Sequence, residues 1–209
     1  AIIFSAGFAE GGEQGLAWDS CLSAGACWLL DCGDIKAVRA IHTTEPNGRW
    51  PEPPNLSWRQ PTPWKGPQRL IRINLEDPQD HREAAPFGTS GGGIIAPPVH
   101  APDQKKVVVW DSVNGGLAGL DDDSLETIWK LDVRPTMQPV LFPESGELAI
   151  NDFTAEGSDD LIVVDVATGE LLDRMATGSR VANGMFLSAG GSRDILYCST
   201  LSVARIAWS

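Results

Sequence analysis

Short apolar runs separated by polar turns recur along most of the chain, and two of them belong to a segment that is repeated without a gap. Residues 97–111 read PPVHAPDQKKVVVWD, and residues 138–152 read QPVLFPESGELAIND. In both copies a short apolar stretch leads to a polar tip and then to a longer apolar run that ends in aspartate. This pattern predicts an antiparallel hairpin whose second strand is buried on both of its faces.

The same alignment finds the hairpin at two further places. Residues 14–31 read QGLAWDSCLSAGACWLLD, with Ala-Gly at the turn, and residues 183–199 read NGMFLSAGGSRDILYCS, with Gly-Gly at the turn. Each hairpin is followed by a second strand-turn-strand unit, such as residues 161–175, LIVVDVATGELLDRM. The last copy ends after a single strand, residues 203–208. The pattern therefore predicts four copies with about sixteen strands in all.

Strand-turn-strand copies that repeat with a spacing of about forty residues are typical of the blades of a β-propeller. We therefore expect a single all-β domain, residues 1–209, with about four four-stranded blades. Three arrangements of the ring are open: a closed four-bladed ring, an eight-bladed ring shared by two chains, and part of a larger propeller. The last blade is expected to lack its outermost strand, for which residues 2–4 are a candidate.

One insertion, residues 43–66, interrupts the repeat. Its sequence, TTEPNGRWPEPPNLSWRQPTPWKG, contains six prolines together with Trp50, Trp58 and Trp64. The prolines exclude a central strand or a helix, and the aromatic residues are too frequent for a disordered linker. We expect an ordered loop over one face of the propeller. It is either a strap across an exposed blade edge or a lid over the central pocket, lined by these tryptophans.

Composition narrows the partners more than it narrows the fold. The net charge is −12 and the isoelectric point is near 4.5. Nucleic acid and anionic membrane surfaces attract basic faces, so neither partner is expected. No apolar run approaches the roughly 20 residues of a membrane span. The chain starts AIIFSAGFAEGG, without the basic start and long apolar stretch of a signal peptide, so we expect a soluble domain whose compartment the sequence does not indicate.

Side-chain amides share one position of the repeat, the start of the innermost strand. Gln14, Gln138 and Asn183 stand there in three copies, and Pro97 stands there in the fourth, with His100 three residues further on. Innermost strands of a propeller lie near its axis, so these amides are expected to converge at one mouth. Such a ring binds a polar ligand, a hard cation such as calcium, or ordered water, or else it ties down the backbones of neighbouring blades.

Carboxylates share a second position, the end of the second strand of each hairpin. Its occupants are Asp31, Asp111, Asp152 and, in the last copy, Ser199. Aspartate at a strand end usually accepts backbone N–H bonds in the following turn, and we predict that structural role here. The runs Asp121–Asp123 and Asp159–Asp160 are interpreted as solvated turns, since they lack the residue order of a calcium loop.

Two segments resemble the family of calcium-dependent lactonases and esterases that includes gluconolactonases and senescence marker protein. That family has an early motif similar to E-G-P-x-W-D before a strand ending in aspartate; here residues 14–19 read QGLAWD and residues 28–31 read WLLD. A later motif is similar to P-N-G-L-x-x-S-x-D followed by L-Y-x-x-D-S; here residues 182–188 read ANGMFLS and residues 196–200 read LYCST.

The resemblance implies a propeller fold, a calcium cofactor and hydrolysis of lactones or esters. It implies that Asn183 is a metal ligand, and it places Gln14 where the family has its first acidic ligand. In the family's last motif the aspartate after the tyrosine is absent here, and Ser199 and Thr200 stand in its place.

Two functions follow as expectations. The preferred one is a β-propeller binding module that takes a small polar molecule or a protein partner at the mouth bearing Gln14, Gln138, Asn183 and the insertion. The alternative is a metal-dependent hydrolase of the lactonase or esterase type, with Asn183 on the metal. A homodimer is expected if two chains share one ring, and the chain would then serve as an assembly scaffold.

Overall fold

The protein is an arrangement of antiparallel β-sheets. The computed structural model describes residues 20–31, 68–88, 97–112, 114–154, 157–180, 185–188, 193–199 and 203–208. These residues form fifteen strands. The strands are β1 (Ser20–Ser23), β2 (Ala26–Asp31), β3 (Arg69–Asn74), β4 (His81–Ala84), β5 (Val99–Ala101), β6 (Lys106–Trp110), β7 (Leu117–Asp121), β8 (Thr127–Leu131), β9 (Val140–Phe142), β10 (Glu147–Phe153), β11 (Asp159–Asp165), β12 (Leu171–Ser179), β13 (Met185–Ser188), β14 (Asp194–Cys198) and β15 (Val203–Ala207).

Each sheet is one blade in which the strands follow one another in chain order. Blade 1 consists of β1 to β4, blade 2 of β5 to β8, blade 3 of β9 to β12, and blade 4 of β13 to β15. All neighbouring strands are antiparallel, and every predicted hairpin is present. The all-β propeller architecture is therefore confirmed. Blade 4 has three strands in the described part of the chain, and the predicted donor of its fourth, residues 2–4, lies outside that part.

The core lies between consecutive blades. Trp28 and Leu30 of blade 1 pack with Val107 and Val109 of blade 2. The alternate residues of β6, Val108 and Trp110, point the other way and pack with Leu148 and Ile150 of blade 3. A third cluster joins Ala149 and Leu161 of blade 3 to Ile195 and Tyr197 of blade 4. The apolar runs of β6 and β10 are buried on both faces, as predicted, because a blade lies on each side of them.

Trp129 shows how closely blades 2 and 3 are fitted. Its indole lies over Gly119, where an added Cβ would come within 2.2 Å of the ring. The indole Nε1 donates a hydrogen bond of 2.9 Å to the Val166 carbonyl of blade 3. Glycine at position 119 therefore provides space for a side chain that joins two blades.

Consecutive blades are joined by buried clusters in the described part of the chain. Buried clusters join blades 1 and 2, 2 and 3, and 3 and 4, and among the residues described none joins blade 4 to blade 1. Three residues on the outward faces of blades 1 and 4 are exposed: Leu22 is 67% exposed, Leu196 37% and Val203 74%. All three ring arrangements that the sequence leaves open contain these three junctions.

A search of the described segments for a long apolar helix capable of crossing a membrane finds none.

Candidate functional site

The predicted site lies at the end of the blades where the innermost strands begin, which we call the mouth end. Because the strands of each blade alternate in direction, the connections between blades and the loops between second and third strands also lie at this end. The hairpin turns lie at the opposite end, the turn end. The residues that introduce β9, 132–139, form the mouth-end connection that the structure describes completely.

Gln138 lies at the mouth end, two residues before β9. It is exposed, and its side chain makes no hydrogen bond to a described residue. Val140 pairs with Ala149, so Gln138 lies level with Asn151 of the neighbouring strand. Of the predicted amide ring, Gln138 is the member whose position the structure describes, and its amide is free to meet a ligand.

Asn151, which is not one of the predicted amides, ties down the backbone of the connection before β9. Such a structural role was one of the two interpretations of the amide ring. Asn151 Oδ1 accepts the backbone N–H groups of Thr136 at 2.8 Å and Met137 at 2.9 Å. Its Nδ2 donates to Thr136 Oγ1 at 2.7 Å and to Asp159 Oδ1 at 2.7 Å. The side chain is fully buried and holds the connection that presents Gln138. Sequence reasoning missed it, although an asparagine directly after a buried apolar run is itself a signal.

Asp159 lies beneath this connection and joins blade 3 to blade 4. Its Oδ2 accepts a hydrogen bond of 2.9 Å from the hydroxyl of Tyr197, and its backbone carbonyl accepts one of 2.5 Å from Thr177 Oγ1. Burial raises the pKa of the Asp159 carboxyl, against the opposing effect of the hydrogen bonds from Asn151 and Tyr197. The interpretation of this residue as part of a solvated turn is wrong, because it is fully buried at the start of β11.

The strand-end aspartates are structural, as predicted, but they differ in what they hold. Asp111 Oδ1 accepts the N–H of Asn114 at 3.0 Å, in the turn that follows its strand. Asp152 Oδ1 instead accepts the N–H of Arg134 at 2.8 Å, from the connection before β9. Its Oδ2 lies 2.7 Å from Arg174 Nη2, whose other nitrogen Nη1 lies 3.1 Å from Asp160 Oδ2. The side chain of Asp31 lies outside the described residues.

The Asp121–Asp123 run forms a turn at the turn end, as interpreted. Asp121 Oδ1 accepts the N–H groups of Asp123 and Ser124. These hydrogen bonds, that of Ser124 first, lower the pKa of the Asp121 carboxyl.

His100 is buried between blades 1 and 2, away from Gln138. Its ring lies 4.6 Å from that of Trp28, and its Nε2 lies 3.1 Å from Asp122 Oδ2 in the turn between β7 and β8. Its Nδ1 is buried without a hydrogen-bond partner. Since Asp122 belongs to the turn end, the structure does not bring His100 to the mouth.

The other predicted site residues, Gln14, Asn183, Trp50, Trp58 and Trp64, lie outside the described residues, so their roles stay predictions. The pairing of blade 4 bears on Asn183 all the same. Six residues, 189–194, separate the last pair of its inner hairpin, Ser188 and Ile195, whereas four, 143–146, separate Phe142 and Glu147. Met185 pairs with the residue before Ser199, and Gln138 lies opposite the residue before Asp152, so Met185 and Gln138 occupy equivalent positions in the two blades. Asn183 comes two residues before Met185 in the sequence.

The structure also bears on the metal prediction. Within the described ranges, no three histidine, cysteine, aspartate or glutamate side chains are grouped so that they could hold a metal ion.

Comparison with known proteins gives a likeness of fold. No protein-family model and no curated protein matches the chain. Among solved structures it is similar to the acylaminoacyl peptidase of Pyrococcus horikoshii, at 10% identity and a TM-score of 0.53 over 88% of this chain and 27% of that one. It is also similar to BamB of Moraxella catarrhalis, at 18% identity and a TM-score of 0.49 over 66% of this chain and 43% of that one.

A further similar structure is the β-propeller domain of the Trilobed protease of Pyrococcus furiosus, at 10% identity and a TM-score of 0.48 over 91% of this chain and 57% of that one. The chain spans between 27% and 57% of the length of these three proteins. At such identities the likeness concerns the fold alone. The four antiparallel blades, packed face to face, identify the fold as a β-propeller.

Proposed function

We propose that the chain is a β-propeller binding module whose mouth takes a small polar molecule or a protein partner. The observation that carries the proposal is the state of Gln138. Its amide is exposed at the start of an innermost strand and is not used to hold the fold, whereas the neighbouring amide of Asn151 is bonded at every position. An amide presents a donor and an acceptor together, which suits polar neutral groups and the carbonyl-type coordination of hard cations.

The backbone that carries Gln138 is held in place before a ligand arrives. Asn151 fixes Thr136 and Met137, and Asp152 fixes Arg134, so three successive parts of the connection are bonded to β10. A ligand that meets a preorganised loop does not have to order it, and this reduces the entropic cost of binding.

The rest of the mouth follows from the repeat. We place Gln14 and Asn183 at the same mouth, in the segments that lead into the neighbouring inner strands of a single domain, residues 1–209, and the insertion 43–66 over them as a lid with Trp50, Trp58 and Trp64. The net charge of −12 favours a neutral or cationic ligand over an anionic one. The resemblance to gluconolactonase-like proteins adds calcium as a candidate, with Asn183 as its ligand.

Thermal melts test the proposal with defined probes. We expect millimolar glucose, as a neutral polyol, to raise the midpoint of unfolding, because a ligand that binds the folded state stabilises it. The rise should be lost in Gln138→Leu. It should persist in the matched control Gln79→Leu, whose exposed amide lies in the turn between β3 and β4 at the turn end.

Calcium chloride and a chelator form the second arm. A rise with calcium that the chelator reverses, together with hydrolysis of a lactone or ester, would favour the metal-dependent hydrolase instead. Equal midpoints with every probe, or an equal effect of both glutamine substitutions, would overturn the site at Gln138.

A further inference from the structure

Blade 4 presents a β-sheet face that no described blade covers. Because side chains alternate along a strand, Ile195 and Tyr197 face blade 3, and the residues between them face away from it. We call this second set the following face of blade 4. It consists of Asp194, Leu196 and Cys198 on β14 and of Val203, Arg205 and Ala207 on β15. Leu196 at its centre and Val203 at one end are exposed.

Blade 1 presents the opposite kind of face. Trp28 and Leu30 pack against blade 2, so the alternate residues Cys27 and Leu29, together with Leu22 opposite Cys27, face away. We call this set the preceding face of blade 1. Leu22 is largely exposed, and Cys27 and Leu29 are half-buried. Further out on the same face, Ile71 and Ile73 of β3 are buried, so the accessible part belongs to the inner strands β1 and β2.

These two faces are the halves of a junction that the chain already makes three times. At each internal junction, the following face of one blade packs against the preceding face of the next and buries both. We propose that the following face of blade 4 docks against the preceding face of blade 1 in a second copy of this chain. Two such junctions, related by a twofold axis, close one ring of eight blades, within the range of about four to eight that propellers adopt.

The charges of the two faces fit this arrangement. Arg205 Nη2 lies 2.6 Å from Asp194 Oδ2 on blade 4, and Arg69 Nη1 lies 3.1 Å from Glu83 Oε2 on blade 1. Each face thus carries one internally neutralised pair beside its apolar residues. Arg205 lies on the third strand and Glu83 on the fourth, outward of the apolar contact between Leu196 and Leu22 that the proposed docking would form. An apolar centre with a polar rim is the usual composition of a protein interface.

Sedimentation equilibrium of the chain over a range of concentrations tests the proposal. We expect a mass of twice 22.4 kDa. A mass of one chain at every concentration would overturn it.

Substitutions on each face separate this docking from a symmetric one. Val203→Glu and Leu22→Glu should each abolish the closed dimer, because each damages both junctions. An equimolar mixture of the two variants should recover a dimer, because one undamaged face of each kind is then present. A dimer that survives Leu22→Glu while Val203→Glu dissociates it would mean that blade 4 docks against blade 4, and would overturn the assignment to blade 1.

The matched control is Ile128→Glu, at an exposed position on the outermost strand of blade 2 and on neither face. It should leave the mass at two chains. The far-ultraviolet circular dichroism of every variant should match that of the parent chain, so that a change in mass reports docking. Loss of the dimer in Ile128→Glu would overturn the proposal, since the loss would then not depend on the two faces.

Discussion

Blades 3 and 4 begin with the same kind of hairpin, and the second strands of these hairpins differ in what surrounds them. In β10 the successive residues Leu148, Ala149 and Ile150 are all fully buried. In β14 burial alternates, since Ile195 and Tyr197 are fully buried and Leu196 between them is 37% exposed. Blade 3 has a blade on each side, whereas blade 4 has a described blade on one side only. Burial of a propeller strand is therefore decided by the neighbours of its blade.

The difference has an energetic consequence. Full burial of a large apolar side chain contributes about 1.5–3 kcal/mol relative to leaving it exposed. Blade 3 receives this contribution on both faces, and blade 4 of a single chain receives it from described blades on one. In repeat architectures, stability is close to a sum of such neighbour terms, so we expect blade 4 to open more readily than blade 3.

The largest expected effect contrasts the two kinds of face directly. Ile150→Ala removes a fully buried side chain between blades 2 and 3, and should lower the free energy of unfolding by about 2–5 kcal/mol. Val203→Ala acts on the following face of blade 4 and should change it by less than about 0.5 kcal/mol in the isolated chain at low concentration. Urea denaturation measures both, and similar losses would mean that the two faces are equally packed.

Tyr197→Phe tests the junction between blades 3 and 4. The Tyr197 hydroxyl donates to the buried Asp159 carboxylate, and losing a hydrogen bond to a charged group costs about 1.5–3 kcal/mol. Because burial raises the pKa of Asp159 above 3.8, its carboxyl is protonated more readily in the folded state than in the unfolded chain. Its ionisation therefore lowers stability as the pH rises from the unfolded pKa through the folded one.

The hydroxyl of Tyr197 stabilises the ionised form of Asp159. Removing the hydroxyl should therefore lower the free energy of unfolding most at pH values above the raised pKa of Asp159. Urea denaturation of both proteins at a series of pH values should show a difference that narrows as the pH falls. A difference that stays constant across the series would mean that Tyr197 acts through packing alone.

Gly119→Ala probes the fit of blades 2 and 3. The added methyl group would overlap the Trp129 ring, and overpacking of this kind costs about 1–3 kcal/mol. In a Trp129→Leu background the overlap is relieved, so the same substitution should cost less. A double-mutant cycle in urea measures the coupling, and additive effects would show that the indole does not depend on the space above Gly119.

The smallest effect is expected from Glu147→Gln. Glu147 is almost fully buried, and its Oε1 lies 2.7 Å from Arg193 Nη2 of blade 4. Burial alone would raise the pKa of this carboxyl, but the hydrogen bonds from Arg193 and Ser145 and the charge of Arg193 lower it below 4.5. Its contribution to stability is therefore present above pH 4.5 and is lost as the pH falls through the folded pKa.

Glu147→Gln should accordingly lower the urea midpoint at neutral pH by less than Tyr197→Phe does. The difference in urea midpoint between this variant and the parent protein should disappear as the pH falls through the folded pKa of Glu147. The control is Glu126→Gln, whose side chain is exposed in the turn before β8. An equal shift in the control would show that the pair between blades 3 and 4 contributes nothing specific.

Some residues of the candidate site were predicted from the sequence, and others were not. The repeat located Gln138 at the start of an innermost strand, because position in a hairpin follows from local pattern. It did not find Asn151 or Asp159, whose partners Thr136, Met137 and Tyr197 come from a connection and from another blade. Such partners are not encoded in any spacing that a single sequence reveals.

The sequence by itself determined the strands, their grouping into four blades and the turn at Asp111, because these depend on alternation and turn chemistry within a few residues. Only the tertiary structure decided that Leu196 and Val203 are exposed, that Asp159 is buried and that His100 lies between blades 1 and 2. Each of these depends on which face of one blade meets another. A side chain's position along its strand is set by local sequence, but whether it is covered depends on residues that are distant in the chain.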